Sequence, residues 1–271
     1  MTALTERAAS AELPLLAARG ATVHRDSVEV VAGADLAVNA GEVVALLGPN
    51  GAGKTSLLRA AMGLLPVTAG EVVLGDRASH VMSARERALR VAYLPQVRTL
   101  AWPARVRDVV ALGRFAYGVG LSARSRDDDK AVDAAMAAAQ LMHLADRRAD
   151  TLSGGEAARL HCARAFASDA PLLLADEPTA GLDPRHQLIT FALLRRYAAA
   201  GRGVLVVLHD VNLAARFADR LVWMHQGQLL ADGAPAATLT IENVEQVYGV
   251  RARLVEDPAS PLPLVMMEAT L

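Results

Sequence analysis

The stretch Gly48-Pro49-Asn50-Gly51-Ala52-Gly53-Lys54-Thr55 satisfies the phosphate-loop pattern G-x-x-x-x-G-K-[ST]. It follows the apolar run Val43–Leu47, which reads as a buried strand, and opens Thr55–Gly63, which reads as a helix closed by glycine. That strand–loop–helix order is the context the motif needs, and an ordinary glycine turn would not supply it. Glycines at 48, 51 and 53 free successive backbone N–H groups to converge on phosphate oxygens, and the helix adds the positive end of its dipole. Lys54 is then the bridge between β- and γ-phosphates, and the Thr55 hydroxyl a Mg2+ ligand. Pro49, Asn50, Ala52 and Ser56 complete the segment around the triphosphate. The dinucleotide pattern G-x-G-x-x-G does not fit, because the glycines run G-x-x-G-x-G.

Of the 28 basic residues only Lys54 and Lys130 are lysine. A compact ammonium enters a loop wrapped around phosphates more easily than a planar guanidinium, although coding bias alone would also leave an occasional lysine.

Two more segments carry chemistry. Leu152-Ser153-Gly154-Gly155-Glu156 reads as a helix start, with Ser153 as cap and two glycines exposing backbone donors. Without a lysine of its own it is either a supplementary phosphate site or a plain capped helix. Leu172-Leu173-Leu174-Ala175-Asp176-Glu177 is a strand ending in two acids, which repel each other at a buried strand tip unless a cation is present. Asp176 is placed to hold Mg2+, and Glu177 to orient and deprotonate an attacking water. A solvent-facing acidic turn before Pro178 is the alternative. His209 closes the apolar strand Gly203–Leu208; a lone histidine there is often a satisfied core group, but its place at the end of the sheet's next strand favours a ligand contact. Histidines 24, 80, 143, 161, 186 and 225 form no metal-like pairs and receive no role.

A chain of 271 residues can bury a substantial core. Hydrophobic residues make up 53%, but no apolar run approaches the ~18–20 residues needed to span a bilayer. Glu6, Glu12 and Asp26 speak against a secretory signal, and the single Cys162 is compatible with the cytosol. A net charge of −1 gives no support for nucleic-acid binding.

Residues 1–14 read as a frayed end, and 28–31 and 36–38 as short strands. Strands at 71–74, 91–94, 171–175, 204–208 and 221–224, with helices near 185–200 and 211–218, imply a largely parallel sheet with helices on both faces. Between about 97 and 165 the chain is rich in Ala, Arg and Leu at helical spacing and reads as a helical insert. Within it, 122–130 reads as a polar loop whose Asp127-Asp128-Asp129 run is solvated. A helix near 241–247 and the proline-broken tail 257–263 end the chain.

Together the phosphate loop, Gln96, the LSGGE turn, the LLLADE strand, Ala180-Gly181-Leu182-Asp183 and His209 resemble the ATP-binding subunits of ABC transporters, over about residues 15–255, with 256–271 as a C-terminal tail. The resemblance implies an α/β P-loop NTPase: an ABC ATPase core with a mostly parallel sheet, an antiparallel β subdomain and the helical insert. It also implies ATP and Mg2+ as cofactors and a homodimer in which two subunits, head to tail, enclose two ATPs. Ser153, Gly154, Gly155 and Glu156 would then reach the ATP held by the other subunit's phosphate loop. Gln96 would sense Mg2+ and water, Asp183 would couple the two sites, and His209 would hold the γ-phosphate. Three departures stand out: Val23-His24 where the family has an aromatic residue against adenine, Glu156 where glutamine is commoner, and Thr55-Ser56 in place of serine–threonine.

Trp102-Pro103 to Arg114, and Val247-Tyr248-Gly249-Val250 with 261–265, are similar to importers of iron chelates, haem or cobalamin; LSGGEAARLHCAR is similar to the haem members in particular. That resemblance implies an integral membrane permease as partner, a periplasmic or extracellular substrate-binding protein beyond it, and a peripheral place at the cytoplasmic face of the inner membrane. Trp102, Val106, Val109 and Leu112 are candidates for the permease-docking groove, unless they only pack the insert. The competing reading is a soluble ABC ATPase of the iron–sulfur cluster assembly type. The DNA-repair and translation types carry a long coiled-coil insertion or a second cassette, neither of which this sequence has.

Overall fold

The computed structural model describes residues 13–96, 103–118, 124–258 and 260–268. The chain begins with β1 (Leu16–Arg25) and β2 (Val28–Val38), enters a central sheet as β3 (Val43–Leu47), and passes through the phosphate loop into α1 (Lys54–Ala61). It continues as β4 (Val67–Leu74), β5 (Arg77–Ala78), α2 (Ala84–Ala88) and β6 (Val91–Leu94). Helices α3 (Val106–Ala111), α4 (Arg126–Ala138) and α5 (Gly154–Ala167) form the insert. Then come β7 (Leu172–Asp176), α6 (Pro184–Ala199), β8 (Gly203–Leu208), α7 (Val211–Phe217), β9 (Arg220–His225) and β10 (Gln228–Gly233). Helices α8 (Pro235–Thr238) and α9 (Ile241–Tyr248) precede a hairpin of β11 (Arg251–Val255) and β12 (Leu264–Glu268).

The central sheet has the order β10-β9-β3-β8-β7-β6, parallel from β9 to β6. Its register aligns Leu47 with Leu208, Asp176 with Val207, and Leu94 with Ala175. The chain therefore leaves β3, β6, β7 and β8 at one common edge, where open α/β sheets bind ligands. Side chains alternate along β3: Val43, Ala45 and Leu47 join the core under the helical layer, whereas Val44 and Leu46 join the core on the opposite face. That second face is not covered by helices alone, as the βα alternation suggested. Leu57 and Leu58 of α1 share it with the antiparallel sheet β2-β1-β4-β5.

Two local expectations change, and one strand goes beyond them. The two strand fragments at 28–31 and 36–38 are one continuous strand, β2, paired along β1. Strand β1 itself carries the alanine-rich sequence LAARGATVHR, and pairing on both sides with β2 and β4 supplies what its propensity lacks. Finally, Asp127-Asp128-Asp129 is the first turn of α4, and only part of it is solvated. Asp127 pairs at the surface with Lys130, but Asp128 is buried. It accepts from Ser125 Oγ at 2.6 Å and Arg114 Nε at 2.9 Å. Arg114 also donates to the Ala167 carbonyl and lies over the Tyr117 ring, so one ion pair clamps the insert's segments together. Val106 and Val109 are likewise fully buried in the helical core and cannot line a docking groove; Trp102 lies outside the described residues.

Candidate functional site

The phosphate loop wraps the start of α1. Gly53 caps that helix in the left-handed region, at φ 104°, and a Cβ there would overlap the Val30 carbonyl oxygen. A Cβ on Gly48 would overlap the Met224 carbonyl, so β2 and β9 hold the loop at glycine width. Lys54 is buried, its Nζ donating to the carbonyls of Gly48 at 2.6 Å and Pro49 at 2.8 Å. Burial pushes its pKa down, while the carboxylates of Glu177 and Asp176 act to raise it. Thr55 and Ser56 stand half-buried in the first turn of α1, behind Ala52, which is buried, and Asn50, which is exposed.

Asp176 ends β7 and is buried. Tyr93 Oη donates to its Oδ2 at 3.4 Å, but Oδ1 has no hydrogen-bond partner. Burial raises its pKa; the Thr55 hydroxyl acts in the opposite sense, and the neighbouring Glu177 charge raises it again. A buried carboxylate with a vacant oxygen is costly alone and is relieved by a cation. The carboxylate and the Thr55 hydroxyl are hard oxygen donors, the kind Mg2+ takes. Glu177, one residue on, turns the chain at φ 47°, and its N–H donates to the Val207 carbonyl at 3.2 Å. Its Oε2 accepts from Gln96 Nε2 at 2.6 Å, and its Oε1 lies 2.6 Å from His209 Nε2. The common sheet edge thus brings Gln96, Glu177 and His209 into one hydrogen-bonded group beside Asp176.

Ser153, Gly154, Gly155, Glu156 and Asp183 gather as a second cluster. Ser153 caps α5 in a reciprocal box: its Oγ accepts from Glu156 N at 3.3 Å, and Glu156 Oε2 accepts from Ser153 N at 2.8 Å. These bonds hold the Glu156 carboxyl below its usual pKa. Asp183 caps α6, accepting from His186 N at 2.9 Å and lying 2.8 Å from His186 Nδ1. His24, on β1, pairs with Thr68 Oγ1 at 2.9 Å.

Sequence reasoning missed Tyr93 and His186. The alternation of β6 brings Tyr93 to Asp176, 83 residues away, and nothing local marks that contact. His186 stands three residues after the cap Asp183, the spacing at which a side chain can reach back to a helix start.

The family pattern described as "ABC transporter" matches residues 31–180. The chain is 43% identical to the Hemin import ATP-binding protein HmuV of Pseudomonas fluorescens, over 90% of this chain and 96% of that one. It is also 43% identical to HmuV of Streptomyces coelicolor, over 93% and 89% of the two chains. Among solved structures it matches an inward-facing ABC transporter described as metal-chelate type, with a TM-score of 0.81, 23% identity and coverage of 94% and 98%. It also matches a dimeric ATP-binding cassette holding ADP and phosphate, with a TM-score of 0.70, 25% identity and coverage of 81% and 98%. With Gln96, Asp176, Glu177 and His209 assembled along one sheet edge beside the phosphate loop, and relatives alike over nearly the whole chain, this protein belongs to the ABC transporter family and is a nucleotide-binding ATPase subunit of it.

Proposed function

We propose that two copies of this subunit close around Mg2+-ATP and use its hydrolysis to drive haem, or a related iron chelate, through a separate membrane permease. The observation that carries the chemical part is Glu177, gripped on both carboxylate oxygens by Gln96 and His209, one residue beyond a buried Asp176 with a vacant oxygen. Lys54 and the backbone N–H groups of residues 50–55 bind the β- and γ-phosphates. Asp176, Thr55 and Gln96 hold Mg2+, which when bound offsets charge on the phosphate oxygens. Glu177 orients the attacking water and accepts its proton, and His209 holds both Glu177 and the γ-phosphate in line. Ser153 to Glu156 of the second copy complete the pocket, with Asp183 linking the two sites. The lysine-free turn then has a purpose, because it finishes a site it cannot form alone.

The import reading draws on the relatives, which are hemin import proteins. Among the described residues no helix is long and apolar enough to cross a membrane, and on this reading the channel belongs to the separate permease. A cleft between α2 and the helical insert, lined by Arg85, Ala88, Leu112, Phe115, Ala116 and Arg164, suits a short permease helix. Phe115 there is 74% exposed, a large apolar surface for a lone chain to leave in water. On this reading the subunit sits peripherally at the cytoplasmic face of the inner membrane, and an extracytoplasmic binding protein delivers the cargo. Proteoliposomes holding the chain, its permease and its receptor test the reading. ATP-dependent uptake of haem or of a ferric chelate supports it; uptake of cobalamin alone, or no uptake of any of the three, overturns the cargo.

A further inference from the structure

We propose that His186 is a positioning residue that locks the Asp183 turn to the Ser153–Glu156 turn, so that both enter the opposite copy's ATP site as one rigid unit. The inference rests on the composite site proposed above and adds the means by which its two inserted turns stay in register.

The geometry exceeds what a helix cap requires. Asp183 Oδ1 takes the His186 backbone N–H at 2.9 Å, which by itself caps α6. Its second oxygen, Oδ2, lies 2.8 Å from the ring nitrogen Nδ1, so the carboxylate also fixes the imidazole's rotation. Both bonds lower the Asp183 pKa, so the acceptor stays charged and the grip is charge-assisted. On the next turn Thr190 Oγ1 donates to the His186 carbonyl at 2.9 Å, which anchors the backbone beneath the ring.

The ring so held lies against the other turn. A Cβ on Gly155 would fall inside the imidazole, overlapping Cδ2, Nε2 and Cγ. No other glycine of the Ser153–Glu156 turn is crowded in this way, since Gly154 has open space around its Cβ direction. Gly155 is therefore the residue whose missing side chain admits His186. The imidazole becomes a wedge, hydrogen-bonded to one turn and in contact with the backbone of the other. Its side chain is 24% exposed, enough shielding for the bond to count and enough access for a facing copy to meet it.

The two halves of the wedge can be removed separately. His186→Asn keeps a donor toward Asp183 but leaves Gly155 uncovered; His186→Phe keeps a ring against Gly155 but loses the donor. Each is placed in the Glu177→Gln chain, and ATP-dependent dimerisation is followed by sedimentation. Nucleotide affinity, measured with a fluorescent ATP analogue at protein concentrations below dimerisation, reports that the fold and the phosphate loop are intact. The expected result is about a tenfold weaker dimer for either variant, with unchanged nucleotide affinity of the single chain. In the Glu177-containing chain the same variants raise the ATP concentration for half-maximal turnover and lower the cooperativity. If both variants dimerise as tightly as the parent, His186 is only a cap residue and the proposal fails. If the Glu177→Gln parent itself never dimerises with ATP, the composite site falls and takes this coupling with it, a result distinct from the first.

Discussion

His209 Nε2 lies 2.6 Å from Oε1 of Glu177, linking the ends of β8 and β7 across 32 residues of sequence. That bond, with the one from Gln96, fixes a carboxylate that would otherwise sample several rotamers. His209→Ala should lower kcat by roughly a hundredfold or more while leaving nucleotide affinity within a factor of about three. Steady-state kinetics beside a binding titration check it; loss of affinity with unchanged kcat would instead make His209 a binding residue.

Gly53→Ala should disable the loop without touching a functional side chain. The new methyl meets the Val30 carbonyl, and φ 104° is a conformation that alanine adopts only under strain. The cost is about 1–3 kcal/mol, and relief requires the loop to move. Calorimetric titration should show ATP affinity falling at least tenfold.

The Arg114–Asp128 pair should dominate the stability of the helical insert. Asp128→Ala leaves a guanidinium 9% exposed and unpaired, at a cost of about 3–5 kcal/mol. Ser125 and then Arg114 hold the Asp128 pKa below its usual range. Its contribution is therefore complete above the unfolded value of about 4 and is lost as pH falls through the lower folded value. Melting curves from pH 7 downward should show the native chain and the variant converging at acid pH.

Phe115→Asp tests the cleft. The substitution lies outside the nucleotide site, so basal ATPase activity should persist while co-purification with the permease is lost. Retained co-purification would move the docking surface elsewhere.

Of the candidate catalytic group, Glu177 and His209 were legible because each follows an apolar strand and a parallel sheet gathers such ends, whereas Gln96 was marked by the family resemblance. Leu94, Asp176 and Leu208 are those ends, and their pairing register puts Gln96, Glu177 and His209 together. Strand β1 was not legible, since its alanines carry no β signal and its stability comes from β2 and β4. Asp128 was misread as solvated because its partner Arg114 is 14 residues away on a different segment. The role of His186 was hidden for a related reason: it exists only where α6 meets α5 at a residue without a Cβ.

The sharpest test of the composite site is the mass of the Glu177→Gln chain, 28.5 kDa as a monomer, in saturating Mg2+-ATP. Sedimentation equilibrium should give twice the chain mass with Mg2+-ATP and a single chain with ADP. A particle of one chain's mass in both nucleotides, even with the permease present, would contradict the account.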